Sequence, residues 1–264
     1  MERGLVADSD GRALDSEAPY VAHLRLSYFR EVEKEVPLGQ AEILFADEHL
    51  VVADKPPFLP VTPGGRFVRN CLLYQVEEIL GVQGLALAHR IDRATSGLVL
   101  LTRKAEERGA YSLLFEHQKV QKTYLAVSRV AVCPREERWK VASRIVKGEP
   151  FFRMREEDGE ANAWTDVELR HWQDGWGHFV LRPRTGKTHQ LRLHLTRLGW
   201  PIEGDRFYPS LRPEAPDDPA RPLALVAHQL EFDDPLSGEK RTFASRLWPL
   251  VNGVVHGPEC FGQP

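Results

Sequence analysis

The chain has 264 residues, 42% of them hydrophobic and 28% charged, with 35 Lys and Arg against 38 Asp and Glu. That length supplies one large domain or two closely packed subdomains, and the balance excludes both a disordered chain and a bulk-basic coat for nucleic acid. No apolar run reaches bilayer length, and Met1-Glu2-Arg3-Gly4 lacks the basic-then-apolar layout of a signal peptide, so a cytoplasmic protein without membrane contact is expected.

Residues 1–40 show no clear period and are expected to form a loosely ordered arm. The patterned region, 41–250, is read as the functional domain and 251–264 as a C-terminal tail. Ile43 to Ala53 carries two apolar runs about Asp47-Glu48-His49, a hairpin pattern that Lys55-Pro56-Pro57 ends. Asn70 is expected to cap a helix with Leu72, Leu73, Val76, Ile79 and Leu80 on one face. A strand begins at Gly97; a helix over Ala105 to His117 turns Ala110, Tyr111, Leu114 and Phe115 inward; a strand from Lys119 to Arg129 follows. Val167 and Leu169 alternate with polar residues, Asp174-Gly175 signals a hairpin turn, and Phe179 and Leu181 alternate on the return strand. Thr188 and Gly199 bracket a last helix, with Leu191, Leu195 and Leu198 on its apolar face and His189, Arg192 and Thr196 opposite. Together these give an α+β fold with a mixed, mainly antiparallel central sheet flanked by helices.

Charge is unevenly spread. Arg182, Arg184, Lys187, Arg192 and Arg197 fall in one acid-free stretch, while acids gather in 31–35, 156–160 and 214–218. This suits one basic cleft in an acidic remainder. Cys71, Cys133 and Cys260 are widely separated and lack metal-ligand spacing, which points to reduced thiols. His189 and His194 lie five apart, off the spacing of a helical zinc pair, so no metal site is expected.

The most informative stretch is His89-Arg90-Ile91-Asp92-Arg93-Ala94-Thr95-Ser96-Gly97-Leu98, which mounts an acid in a turn directly ahead of an apolar strand. An Asp between two arginines is, alone, more often a surface ion pair. The whole string H-R-I-D-x-x-T-S-G, however, closely resembles the catalytic motif of the RluA family of pseudouridine synthases. The resemblance continues through Lys122-Thr123-Tyr124, Thr185 to Leu195, and Gly199 to Asp205 with Tyr208 just after, in the family's order, from about Ile43 to about Phe243.

The resemblance implies the pseudouridine synthase fold, with a cleft between two halves, acting on ribosomal or transfer RNA as a monomer without a cofactor. Isomerisation of uridine breaks the bond from the anomeric carbon to uracil nitrogen, turns the base and rejoins it at carbon 5. A carboxylate beside the anomeric carbon is required, as nucleophile or to assist elimination. Asp92 is that group by resemblance, Tyr124 the base for the carbon 5 proton, and Arg192 the partner of Asp92. Arg93, Thr95, Lys122, Arg184, Lys187, His189 and Gln190 are expected at the RNA, and His89 and Arg90 there or in support of the site.

Three positions depart from the pattern: Lys187 stands where the family usually has Arg, Thr62 where His is frequent, and Val226 where L-H-A is common. The residues before Ile43 are too few for the small RNA-binding domain that often precedes the catalytic one, so recognition rests largely on the catalytic domain. Two other classes share some of these features. A glycoside or nucleoside hydrolase also places a carboxylate at an anomeric carbon but needs a second carboxylate for acid or base work. An inactive RNA-binding module would have no use for Asp92, Tyr124 and Arg192 together.

Overall fold

The computed structural model describes residues 6–28, 35 and 38–262. Parts of the expected arm, 1–5, 29–34 and 36–37, lie outside the described residues, as do the last two residues of the expected tail. The described part of the arm includes a small ribbon, β1 (Val6–Ala7) against β2 (Ser27–Tyr28).

One 11-stranded sheet organises the rest. In chain order its elements are β3 (Glu42–Ala46), β4 (Leu50–Lys55), helix α1 (Leu72–Leu80), β5 (Ala86–Leu87), β6 (Ser96–Thr102), helix α2 (Arg108–Glu116), β7 (Gln121–Arg129), β8 (Arg138–Lys147), β9 (Met154–Glu157), β10 (Ala163–Gln173), β11 (Trp176–Pro183), helix α3 (Gln190–Arg197), β12 (Leu225–Asp233) and β13 (Lys240–Ala244). The sheet order is β3-β4-β6-β12-β7-β11-β10-β8-β9, with β13 on β12 and β5 on β6. Among the described strands the pairing is antiparallel except where β12 meets β6. The fold is therefore mixed and mainly antiparallel, as expected.

Local chemistry accounts for the hairpins. Asp47 Oδ1 accepts the N–H groups of His49 and Leu50 at 2.8 and 2.7 Å, closing the β3–β4 turn. Asp174 and Gly175 both have positive φ, 52° and 78°, the two left-handed residues that a two-residue hairpin turn requires.

In β4 and β6 every residue is buried, yet the period of two still sorts them. Val51, Ala53, Val99 and Leu101 face one core with Leu72 and Val76 of α1, and Leu50, Val52, Leu98 and Leu100 face another with Tyr111 and Leu114 of α2. The other half of the sheet has its own core around Phe179, Val180, Leu181, Leu191 and Leu195. Tyr124 packs against the cores of both halves.

The structure corrects several expectations. Cys71, not Asn70, is the N-cap position of α1, and Ile79 is 44% exposed, turned away from the core that Leu72, Val76 and Leu80 pack against. Residues beyond 250 are no separate tail. After the hairpin β14 (Leu250–Val251) and β15 (Val254–Val255), helix α4 (Pro258–Phe261) delivers Phe261 into the main core. Over Gln190 to Leu195, all buried, helix α3 has no outward polar face, because this part lies between the sheet and the 202–208 loop; only Thr196 and Arg197 reach towards solvent. Its N-cap position is His189, at φ 57°, not Thr188. Gly199 does end it, with Gly199 and Trp200 N–H groups returning to the Thr196 and Leu195 carbonyls. Among the described residues no helix is long and apolar enough to cross a membrane.

Candidate active site

The site forms where β6, β7 and α3 converge. Asp92 sits in the turn that feeds β6, its carbonyl accepting the Thr95 N–H at 3.1 Å. The turn is seated by Gly97: at φ +105°, a Cβ there would stand 2.3 Å from the Ala227 carbonyl oxygen, so only glycine lets β6 come this close to β12. Lys55, at the end of β4, is wholly buried and donates to the carbonyls of Pro56 and Arg93 at 3.0 and 3.1 Å, tying the Asp92 turn to the neighbouring strand. Burial pulls the Lys55 ammonium down to about 7, against the attraction of Asp92.

The Asp92 carboxylate is 27% exposed and opens onto a cleft. Arg192 Nη1 approaches its Oδ2 at 3.4 Å and His189 Nε2 at 3.8 Å. The main partner of Arg192 is nevertheless Asp205, bound through two hydrogen bonds of 2.7 Å. Asp205 also accepts the N–H groups of Phe207 and Tyr208, at 2.8 and 3.2 Å, and Phe207 and Tyr208 lie beneath the guanidinium. The pair expected by resemblance is thus present as the outer, longer contact of an arginine clamped from behind.

Tyr124 enters from β7. Burial, and then the Asp92 charge, pushes its phenol well above the ordinary value, so the hydroxyl keeps its proton in the resting site. His189 is held with Nδ1 2.9 Å from the Tyr208 hydroxyl, and burial lowers its pKa. Gln190 accepts from Thr185 Oγ1 and the Lys187 N–H and donates to Trp164 O and Thr165 Oγ1, which locks the loop ahead of α3. Lys122 donates to the Thr185 carbonyl at 3.0 Å, and burial pulls its ammonium down to about 8.

Of the residues singled out from sequence, Arg90, Asp92, Thr95, Lys122, Tyr124, His189, Gln190 and Arg192 line the cleft. His89, Arg93, Arg184 and Lys187 do not. His89 instead accepts the Leu100 N–H and stacks on Phe115, and burial drives it down to about 3, so it is a neutral support of β6. Arg93 is held by Asp217 and lies over Phe67, and Arg184 pairs with Asp166. The basic stretch as a whole does not line the cleft. Arg182 pairs with Glu168 and Arg197 with Glu156, leaving Lys187 exposed and Arg192 inside. Sequence reading missed Lys55, whose only local signal was the Pro-Pro that follows it.

The cleft is walled on its apolar side by Ile91, Leu191 and Leu225 and has one acid, Asp92, among its described lining residues. The family model for RNA pseudouridylate synthase matches residues 49–197. The chain belongs to this family. As a pseudouridine synthase it is an isomerase that acts on RNA, and its motifs place it with the RluA type. It is 34% identical over 216 residues to an RNA pseudouridine synthase of Synechocystis, which covers 79% of this chain and 72% of the relative. To tRNA pseudouridine synthase C of Yersinia pestis it is 30% identical over 227 residues, covering 78% and 86%. To ribosomal large subunit pseudouridine synthase D of Xylella fastidiosa it is 32% identical over 184 residues, covering 67% and 53%. Among solved structures, human RNA pseudouridylate synthase domain containing 4 superposes with a TM-score of 0.61 at 25% identity, covering 78% of this chain and 88% of that one. The hydrolase alternative finds no support here, and Asp205, 1% exposed and fully engaged, offers no second working carboxylate.

Proposed function

We propose that the cleft isomerises a single class of uridine in transfer or ribosomal RNA, with Asp92 acting at the ribose anomeric carbon. The observation that carries this reading is the contrast between two acids on one arginine: Asp205 is consumed by Arg192 and backbone N–H groups, whereas Asp92 faces the cleft with only longer contacts. Arg192 then orients the working carboxylate and offsets negative charge on the detached base. Tyr124 stacks on the uracil and receives the carbon 5 proton; because its phenol is protonated at rest, that transfer is coupled to passage of the phenolic proton to uracil nitrogen 1, which gains one in the product. Arg90 and Lys122 line the entrance as cations for the flanking phosphates. A stacked base cannot reach Asp92, so the target is flipped out, at a cost of a few kcal/mol that favours loops and bulges.

The relatives named for both transfer and ribosomal RNA leave two substrate classes, and one experiment separates them. Pseudouridine is mapped across both RNA classes in cells with and without this protein. One site, or a small set in one class, disappears in its absence and returns with the wild-type chain but not with Asp92→Asn. An unchanged map would overturn the reading.

A further inference from the structure

Away from the cleft, three metal-ligating side chains from distant parts of the chain converge: His178 of β11, His256 after β15, and Cys260 of α4. Their donor atoms all lie within 4.8 Å of one another, and His178 Nε2 and His256 Nδ1 are 2.7 Å apart. We propose that these residues form a site for a divalent transition cation of the zinc type, which clasps the C-terminal segment to the β10–β11 hairpin.

The donor set fits such an ion. Two imidazoles and a thiolate are borderline-to-soft ligands that suit zinc far better than magnesium or calcium. Zinc bonds of about 2.0–2.1 Å to nitrogen and about 2.3 Å to sulfur place tetrahedral donors roughly 3.3–3.8 Å apart. The two nitrogens therefore need to open by roughly 0.6 Å, and a donor pair at the 4.8 Å limit to close by roughly 1 Å, movements within the reach of side-chain torsions on the partly exposed His256 and Cys260. His178 is already oriented: it is 2% exposed, and its Nδ1 faces the His171 carbonyl at 3.4 Å, which leaves the Nε2 lone pair for the cluster. A backbone carbonyl behind a ligating histidine is the usual way its tautomer is fixed. Phe261, packed edge-on to the His178 ring at 5.4 Å, holds Cys260 beside it.

Proton bookkeeping closes without a co-reactant. His256 moves its proton from Nδ1 to Nε2, with no net loss. Cys260, whose thiol is raised by burial and by Glu259, releases one proton to solvent as the sulfur–metal bond forms. Glu259 Oε1 lies 3.8 Å from Cys260 Sγ. Nearby His171 is exposed and turned to Gln173, outside the set. The sequence hides the site because His178 and His256 are 78 residues apart.

The test uses the full chain, stripped with a chelator and titrated with cobalt(II), then zinc(II). One equivalent of cobalt is expected to give a thiolate-to-metal charge-transfer band and visible d–d bands, which zinc bleaches. Zinc is also expected to raise the melting temperature. Cys260→Ser removes the charge-transfer band, His256→Ala weakens zinc binding by roughly tenfold or more, and both reduce the thermal shift. Cys133→Ser, at an exposed cysteine elsewhere, leaves all three readouts unchanged. No saturable uptake at one equivalent, or wild-type behaviour of Cys260→Ser and His256→Ala, would overturn the proposal.

Discussion

At the scale of single residues, the site is an arrangement of charges held in low dielectric. Arg192 is 3% exposed and its neutralising partner Asp205 is 1% exposed, so this pair anchors the arginine, while Asp92 interacts with it across a longer gap. Removing one member of such a buried pair typically costs 3–5 kcal/mol, which makes the arginine a poor probe of chemistry because folding suffers too. Tyr124 is the better probe. Tyr124→Phe keeps the ring between the two cores and loses only the hydroxyl, so glycosidic cleavage is expected to proceed and carbon 5 deprotonation to stall. Rearranged product held on the enzyme, detected by rapid quench and mass analysis, is the expected outcome; turnover at the wild-type rate would move the base elsewhere. That Asp92, Tyr124 and Arg192 share one cleft was legible because their motifs are long. Lys55 was not, since a lysine ahead of two prolines looks like the end of a strand, and Asp205 as the main partner of Arg192 depends on a loop returning under α3.

At the scale of elements, the turn that holds Asp92 depends on how closely β6 and β12 run together. Gly97→Ala sets a Cβ against the Ala227 backbone in a left-handed conformation that L side chains rarely adopt. The close contact and the strained φ together are expected to cost about 3 kcal/mol or more, since either effect alone reaches about 1–3 kcal/mol. Chemical denaturation measures this, and a loss below about 1 kcal/mol would show that the strands can part without harm. Strands were the most legible elements, since turn residues such as Asp174-Gly175 and alternating apolar positions mark them locally. Helix α3 was misread because amphipathic spacing assumes one wet face. Here His194, bonded to Ser143 and Thr165, and Gln190, bonded to Thr165, satisfy their polar atoms inside the protein.

At the scale of the whole molecule, the one basic stretch that stands out in the sequence is largely paired with acids from elsewhere in the chain. The stretch from Arg182 to Arg197 looked like a phosphate track in sequence, but acids on β9, β10 and the 202–208 loop, invisible to a local reading, neutralise most of it. This stretch is therefore expected to contribute little to the salt dependence of RNA binding. Lys187→Glu should reduce the slope of that dependence by about one phosphate contact, whereas Arg184→Glu, already paired with Asp166, should shift it far less. Binding isotherms at several salt concentrations distinguish these; equal slopes for the two variants would restore the phosphate track. The central claim is that Asp92 performs uridine isomerisation in this cleft, and release of tritium from RNA labelled at uridine carbon 5 tests it most directly. The wild-type chain should release tritium in proportion to the pseudouridine it forms, and Asp92→Asn, folded and still binding RNA, should release none above background. Release by Asp92→Asn at more than a few per cent of the wild-type rate would contradict the account.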